Sequence, residues 1–580
     1  MSLRITTDKA VYGVNEEVSI EVEVKGLTST EVVTISVMRD STGVVRKTIE
    51  ALPPGAVVTE AVRLGEPGLY EVTAKCCGFE VGVPVLVLKE PNEPVRLAVV
   101  FHNHQPIYKL PNGHYHAAWA FHHTWFPEFQ PIYDVGPYLL HVRLLSKYRV
   151  SFTYNLSPSM LYQWLEVISK GVFIEGGEAV EFVGPWDPRT NLVREAIDGY
   201  ARLARDGTIE VLTSFIAHPI SGYLIKEYGL SELIKWELNE GLRISKEALG
   251  VEPVGIWLPE MYFDKELVDI ICNAGLRYTV LDAVYHLGES IKDRSSIYRP
   301  YKHGCLTILF RDTALSDMLS FQLNKASNAV ESDVNARRFI IEVLSRREYA
   351  KGGVVTVALD GENWMILPTP NPYAALLLER IMQYLAKAQE DGFIRVVKPS
   401  SIINEATEEV KEIPTTSWLG SPSKWVSERE DVQSRLWSMA RQIIEGWRVY
   451  EEVFGADEEL RMMMAMALDS DFYWAEFTNP VHVGLWAHSI MDYVNNALNS
   501  ITLSLMRGDG RLIIRVANNW RREASLIVSI ESQGVGTEYP LRIPSNSQED
   551  VQVLTDGEVQ ISLLTMGTRR LVRGPIKVRV

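Results

Sequence analysis

Between residues 95 and 360 seven short apolar runs recur, at 97–101, 150–154, 208–213, 254–258, 278–281, 307–310 and 354–359. Runs of this length without polar alternation are the mark of strands buried on both faces, which occur in parallel sheets covered by crossover helices. Helical stretches lie between several of them, for example 231–249 ahead of Gly250 and 264–274 ahead of Gly275. Glycine is the common residue just past a helix end. Seven such units in about 300 residues suit a distorted or incomplete (β/α)7 barrel better than an open sheet. The fold class is therefore α/β.

The flanks read differently. The first ninety residues alternate with period two, as in Val18, Ile20, Val22, Val24 and Val33, Ile35, Val37, with turn residues at 40–43. That pattern predicts an Ig-like β-sandwich over 1–92, closed by a linker at Pro91-Asn92-Glu93-Pro94. The barrel then occupies 93–400. Residues 401–505 read as a helical annex, with Ser427 and Glu430 as a capping box ahead of Leu436, Ala440, Ile443 and Trp447. Runs at 512–516, 525–530 and 559–564 predict a C-terminal β-domain over 506–580.

Charge and composition narrow the partners. Lys and Arg number 58 against 74 Asp and Glu, a net −16, so no cationic surface is offered to nucleic acid or an anionic membrane. No apolar run is long enough to span a bilayer and no signal peptide opens the chain, which predicts a cytoplasmic protein or a secreted one after processing. Four cysteines make neither a disulfide framework nor a zinc-type CxxC pair. No cofactor is implied, and no metal.

Side chains just past the C-terminal ends of barrel strands converge on one mouth, so polar residues there are candidates for chemistry. The seven runs are followed by His102-Asn103-His104-Gln105-Pro106, Asn155, His218-Pro219, Glu260, Asp282, Arg311-Asp312 and Asp360-Gly361-Glu362-Asn363. Glu260 and Asp360 each follow a run and each has a tryptophan nearby, Trp257 and Trp364. Two carboxyls in unequal surroundings can divide the work of nucleophile and proton donor. Each has a blander reading taken alone, Asp360-Gly361 as a turn and Glu260 as a helix first-turn acid. Their occurrence at two strand ends favours chemistry.

Seven of the twelve histidines fall between 102 and 141. His102 and His104, two apart beyond a strand, suit substrate hydroxyls or a metal, for which His218 could supply a third ligand. Most of the other five read as surface or core residues. Tryptophans crowd the helical region; Trp437 and Trp447 stand at core spacing, whereas Trp418 and Trp425 lie in a Gly/Ser/Pro loop where exposure is expected.

At these motifs the chain resembles glycoside hydrolase family 57, a family active on α-glucans. His102-Asn103-His104-Gln105-Pro106, the segment 210–219 ending in His218-Pro219, Gly255-Ile256-Trp257-Leu258-Pro259-Glu260 and Ala358-Leu359-Asp360-Gly361-Glu362-Asn363-Trp364 match its first four motifs in order. Asp469-Ser470-Asp471-Phe472-Tyr473-Trp474 is the loosest match, to the fifth. The resemblance implies Glu260 as nucleophile and Asp360 as general acid/base of a retaining hydrolase, the two carboxyls about 5 to 5.5 Å apart. It places His102, His104, His218, Asp471 and Trp474 around the sugar next to the scissile bond; Gln105, Trp257, Glu362, Trp364, Trp418 and Trp425 are further candidates for substrate contact. Arg311-Asp312 and Ser316-Asp317 resemble a further segment near the floor of the site. The implied substrate is an α-1,4- and α-1,6-linked glucan such as starch or pullulan, cut in the manner of an amylopullulanase or α-amylase. A 4-α-glucanotransferase or branching enzyme of the same family is the alternative. A metal-dependent polysaccharide deacetylase or mannosidase-like hydrolase is the rival of another class, and a non-catalytic glucan-binding barrel is a third.

Overall fold

The computed structural model describes residues 2–26, 31–52, 56–89, 93–176, 179–508, 511–532, 534–555 and 557–579. The expected linker and the boundary near 92 fall largely on residues 90–92, outside the described residues. The chain divides into two compact units, one of residues 1–106, 117–216 and 220–421, the other of 107–116, 217–219 and 422–580.

The first unit is built on a parallel sheet. Each of the seven apolar runs contains a strand: β1 (Val95–Asn103), β2 (Thr153–Leu156), β3 (Glu210–Thr213), β4 (Gly255–Ile256), β5 (Tyr278–Asp282), β6 (Leu306–Arg311) and β7 (Val355–Asp360). They pair in parallel in the order β7-β1-β2-β3-β4-β5-β6, a barrel-like sheet. No continuous ladder joins β6 to β7 among the described residues. Three bonds cross that seam instead: Asp312 N–H to Thr356 O at 2.8 Å, the Arg311 guanidinium to Ala358 O at 3.2 Å, and Ala358 N–H to the Ser316 hydroxyl at 3.2 Å. Side chains thus satisfy backbone groups that a regular strand pair would have satisfied.

The crossover helices follow the punctuation of the sequence. The helix Ser231–Leu249 stops where Gly250 takes a left-handed conformation with φ 66°, which only glycine adopts without cost. The next begins at Leu267, later than the periodicity predicts, because the Asp264 carboxylate accepts from Glu266 N–H and holds a turn there. Cys272, at the end of that helix (Leu267–Asn273), is disulfide-bonded to Cys305 ahead of β6, 33 positions on. Spacing alone gave no sign of this pairing.

The N-terminal strands form a three-stranded and a five-stranded sheet whose alternating valines and isoleucines face one another in a single apolar core. The Asp40-Ser41 turn has both residues at positive φ, 48° and 64°, as a two-residue hairpin requires. This sandwich is tied to the barrel by Arg337 of the helix Ala329–Ser345. Its guanidinium is fully buried and donates to Thr7 O, Lys9 O, the Thr6 and Thr7 hydroxyls, Asp333 and Tyr384. Val334, one helical turn away on the same face, packs into the sandwich core.

In the second unit the helices Val432–Phe454, Glu458–Ala467 and Pro480–Asn499 precede a three-stranded and a four-stranded antiparallel sheet. The predicted capping box was misplaced. Asp431 caps the first of these helices and Ser434 completes the box, so the Ser427/Glu430 pair precedes the helix; the Asp431 carboxylate is the acceptor that meets the N3 amide. No described helix is long and apolar enough to cross a membrane.

Candidate active site

β4 ends at Ile256 and the chain passes through Trp257, Leu258 and Pro259 into a single 3-10 turn, Pro259–Met261. Glu260 sits in that turn at φ 56°, ψ 19°, and Met261 follows at φ 48°. Two successive left-handed side chains are unfavourable by about 1–2 kcal/mol each, and such outliers persist only when neighbours over-determine them. Here Met261 N–H bonds to Leu258 O and Tyr262 N–H to Pro259 O, while Trp418 N–H donates to Glu260 O at 3.1 Å. The Trp418 indole N–H also donates to the Glu260 carboxylate at 2.9 Å. One tryptophan, 158 positions away, therefore fixes both the backbone and the side chain of Glu260.

Trp418 is itself seated. Its ring meets Trp257 edge-on at 5.8 Å, and the Arg311 guanidinium lies over it, 5.1 Å from the ring centre. Arg311 is buried and pairs with Asp282 at 2.7 Å and with Asp317 at 3.2 Å. The other Asp282 oxygen accepts the N–H groups of Val284 and Tyr285. The ends of β5 and β6 thus form a charged floor under the indole that holds Glu260.

Asp360 closes β7 and is the register partner of His102 on β1. Its carboxylate accepts from the Asn363 amide at 3.0 Å. Gly361 has no unusual φ; it is glycine because a Cβ there would lie 1.6 Å from the Asn103 side-chain oxygen. The close approach of β1 and β7, and not a turn, requires that residue. Glu362 is fully buried, with its Oε1 2.9 Å from the Tyr138 hydroxyl and 3.2 Å from the His104 N–H. Burial, and after it the negative charge of Asp360, push the Glu362 carboxyl well above the usual range despite those two hydrogen bonds. The Glu362 carboxyl is thereby driven towards its protonated form.

His102, in β1, and His104, just beyond it, stack. The His102 ring lies 4.7 Å from Trp257 on one side and 5.2 Å from His104 on the other, with interplanar angles of 8° and 7°. Asn155 at the end of β2 donates its amide hydrogens to Leu212 O and Thr213 O, so its oxygen accepts from His102 Nδ1 at 2.7 Å. That places the His102 proton on Nδ1 and orients Nε2 as the acceptor. His104 Nδ1 is 3.3 Å from the Ser159 hydroxyl, and Gln105 is buried beside it.

His218, Asp471, Trp474 and Trp425 belong to the second unit. There His218 Nδ1 is 3.1 Å from the Asp471 carboxylate and 3.2 Å from the Ser470 hydroxyl, while Ser470 N–H donates to His218 O. Trp474 packs edge-on against Trp425 at 5.1 Å, with the Lys424 ammonium over its face. Trp425 is fully buried, against the expectation of an exposed loop residue, because the start of the following helix covers it and the Trp437 indole donates to its carbonyl. Its ring backs that of Trp474. Trp364 likewise turns inward, its indole N–H on Gly361 O, and Trp257 lies beneath His102. The clamp by Trp418 and the Tyr138–Glu362 contact were not legible in the chain, since nothing in the spacing links residues so far apart.

His141, assigned to surface or core, supports the same region. Its Nε2–H donates to Gly361 O at 3.1 Å and its Nδ1 accepts from Tyr154 at 2.8 Å. Burial pushes this imidazole down to about 4 from an ordinary 6.5, against the pull of the Gly361 carbonyl. A depressed native value means that the neutral form stabilises the fold above pH 6.5 and that this contribution disappears as the pH falls towards 4. The loss expected is about 3 kcal/mol. Denaturant midpoints measured from pH 7 to 4 should fall, and the slope should be shallower in His141→Gln; an unchanged slope would refute the assignment.

Residues 98–415 match the sequence profile described as glycosyl hydrolase family 57. A 110-residue stretch is 26% identical to an α-amylase of Pyrococcus furiosus, covering 18% of this chain and 15% of that protein, so the likeness spans a small part of the curated relative. The crystal structure of an α-amylase, AmyC, from Thermotoga maritima superposes with a TM-score of 0.50 at 12% identity, over 70% of this chain and 94% of the other. That of a 4-α-glucanotransferase from Thermococcus litoralis gives 0.48 at 16% identity, over 75% and 63%.

Proposed function

The chain belongs to glycosyl hydrolase family 57, and from that premise we propose that it cleaves α-glucosidic bonds with retention of configuration. The observation that carries the reading is Glu260, presented in a left-handed turn at the end of β4 with its carboxylate fixed by the Trp418 indole. A nucleophile must be held in one orientation, since its attack is productive only along a narrow approach. In this reading Asp360 protonates the glycosidic oxygen as Glu260 attacks the anomeric carbon. The C–O bond to the leaving sugar breaks, a glycosyl ester forms on Glu260, and Asp360 then takes a proton from the water that releases the product.

His102, oriented through Nδ1 by Asn155, is a proposed contact to a sugar hydroxyl. His104, Gln105, His218, Asp471 and Trp474 complete the proposed sugar contacts. Trp257, Glu362, Trp364 and Trp425 act through their neighbours. The four-part division at 92, 400 and 505 belongs to the same proposal. The proposed substrates are starch-like α-1,4-linked glucans and α-1,6-branched ones such as pullulan. Transfer to a second glucan is the competing fate of the same intermediate, because a sugar hydroxyl and water attack the same carbon.

The test is the product profile on amylose, pullulan and maltotriose with NMR of the first-formed reducing ends. New α-anomers are expected before mutarotation. Initial β-anomers would overturn retention, longer oligosaccharides from maltotriose would assign transfer, and no change in any of the three glucans would overturn the reading altogether.

A further inference from the structure

The helix Trp119–Trp125 brings His122 and His123 into its last turn, and the chain then reverses through Phe126 and Pro127 so that Glu128 returns against both rings. Glu128 Oε1 lies 2.7 Å from His123 Nδ1 and 3.4 Å from His122 Nδ1, and one ligating atom from each of the three residues lies within 4.8 Å of the others. The carboxylate is buried, its side chain 2% exposed. Its Oε2, and His122 Nδ1, are buried and make no hydrogen bond among the described residues. No described lysine or arginine neutralises it; the two imidazoles are its ionic partners.

A buried carboxylate with an unsatisfied oxygen is costly, and an unsatisfied imidazole nitrogen 3.4 Å from the other oxygen of that carboxylate adds to the cost. A cation between the three residues would give the nitrogen a partner and neutralise the carboxylate. We propose that His122, His123 and Glu128 form a binding site for a divalent transition metal of the zinc class. Two imidazole nitrogens and one carboxylate oxygen are borderline donors that suit zinc and its neighbours, whereas calcium demands six or more oxygens. Ligand atoms at about 2.0–2.2 Å from zinc stand about 3.3–3.5 Å apart along a tetrahedral edge. The His122–Glu128 separation already matches that edge. His123 Nδ1, 2.7 Å from Glu128 Oε1, would lose its proton to solvent and draw back by about 0.6–0.8 Å, so binding weakens with acid.

The rings are set for this. His122 stacks on Phe126 at 4.5 Å and His123 on Trp119 at 5.4 Å. The His122 side chain is one-third exposed although its Nδ1 is buried, so the site lies close to solvent. The metal would clip the end of this helix to the turn that follows it. Tyr138, whose hydroxyl reaches Glu362, lies edge-on to His123 at 6.2 Å, so the clip would stiffen the wall behind the candidate active site.

The test is binding, read without activity. Chelator-treated protein is titrated with zinc, and with cobalt(II) to report coordination by its visible absorption. One equivalent per chain and a tetrahedral cobalt spectrum are expected, with affinity falling at least about tenfold in both His122→Ala and Glu128→Gln. The unfolding temperature of the wild type should rise with metal, and that of the variants should not. Should a variant fail to fold, X-ray absorption of the zinc-loaded wild type decides: two imidazoles and a carboxylate oxygen support the site. Sulfur ligands, which would point to the adjacent thiols of Cys76 and Cys77, overturn it. So does the absence of stoichiometric binding at micromolar metal, or unchanged affinity in both variants.

Discussion

Glu260→Gln is expected to lower kcat on an α-glucan by at least about 10³-fold with little change in glucan binding, a barrier increase of about 4 kcal/mol. The amide preserves the shape of the side chain and can still accept the Trp418 indole hydrogen bond, so the fold should be untouched. What disappears is the proposed nucleophile. Glu260→Ala opens room where the carboxylate was, and a small anion such as azide should then restore turnover and yield a glycosyl azide of inverted configuration. Failure of azide to rescue, together with a Glu260→Gln enzyme of near-normal rate, would remove Glu260 from the mechanism. Trp418→Phe separates orientation from chemistry. It keeps a ring over which Arg311 can lie but deletes the donor to the carboxylate, so kcat should drop by about 10- to 100-fold while KM moves little.

Arg337→Met is expected to cost about 3–5 kcal/mol in denaturant unfolding, because it removes the nearer cation of the buried Asp333 carboxylate, leaving Arg380 at 3.9 Å, and strips Thr7 O and Lys9 O of donors. Removing one partner of a buried pair is far worse than removing both. The double variant Arg337→Met/Asp333→Leu should therefore recover part of the loss, the remainder measuring the backbone carbonyls of the sandwich. Limited proteolysis should report the same change as faster cleavage within residues 1–90. A cost below about 1 kcal/mol for the single variant would show that the guanidinium is not what fixes the sandwich to the barrel.

Much of the fold was legible because it depends on local patterns that tertiary structure has no reason to override. The seven apolar runs became seven parallel strands since a strand buried on both faces must be apolar throughout. Gly250 ended its helix where expected because the left-handed cap has almost no other tenant. The capping box at 427–430 failed by a few residues because several acids and hydroxyls compete there, and only the path of the chain chooses Asp431. The Cys272–Cys305 bond escaped notice for a related reason: a separation of 33 residues becomes a contact only once a helix and the approach to β6 are laid side by side.

The candidate site divides in the same way. Sequence by itself determined which residues stand at or just beyond the strand ends, since continuous apolar runs mark where each buried strand lies: His102, Glu260 and Asp360 could be named without coordinates. Only the tertiary structure decided what holds them. Trp418 reaches Glu260 across 158 positions, Gly361 is demanded by the Asn103 side chain of the neighbouring strand, and Trp425 is buried rather than offered to solvent. The physical reason is range. Strand ends are set by the hydrophobic pattern of the few residues around them, whereas orientation, burial and protonation are set by whatever the fold brings within a few ångströms.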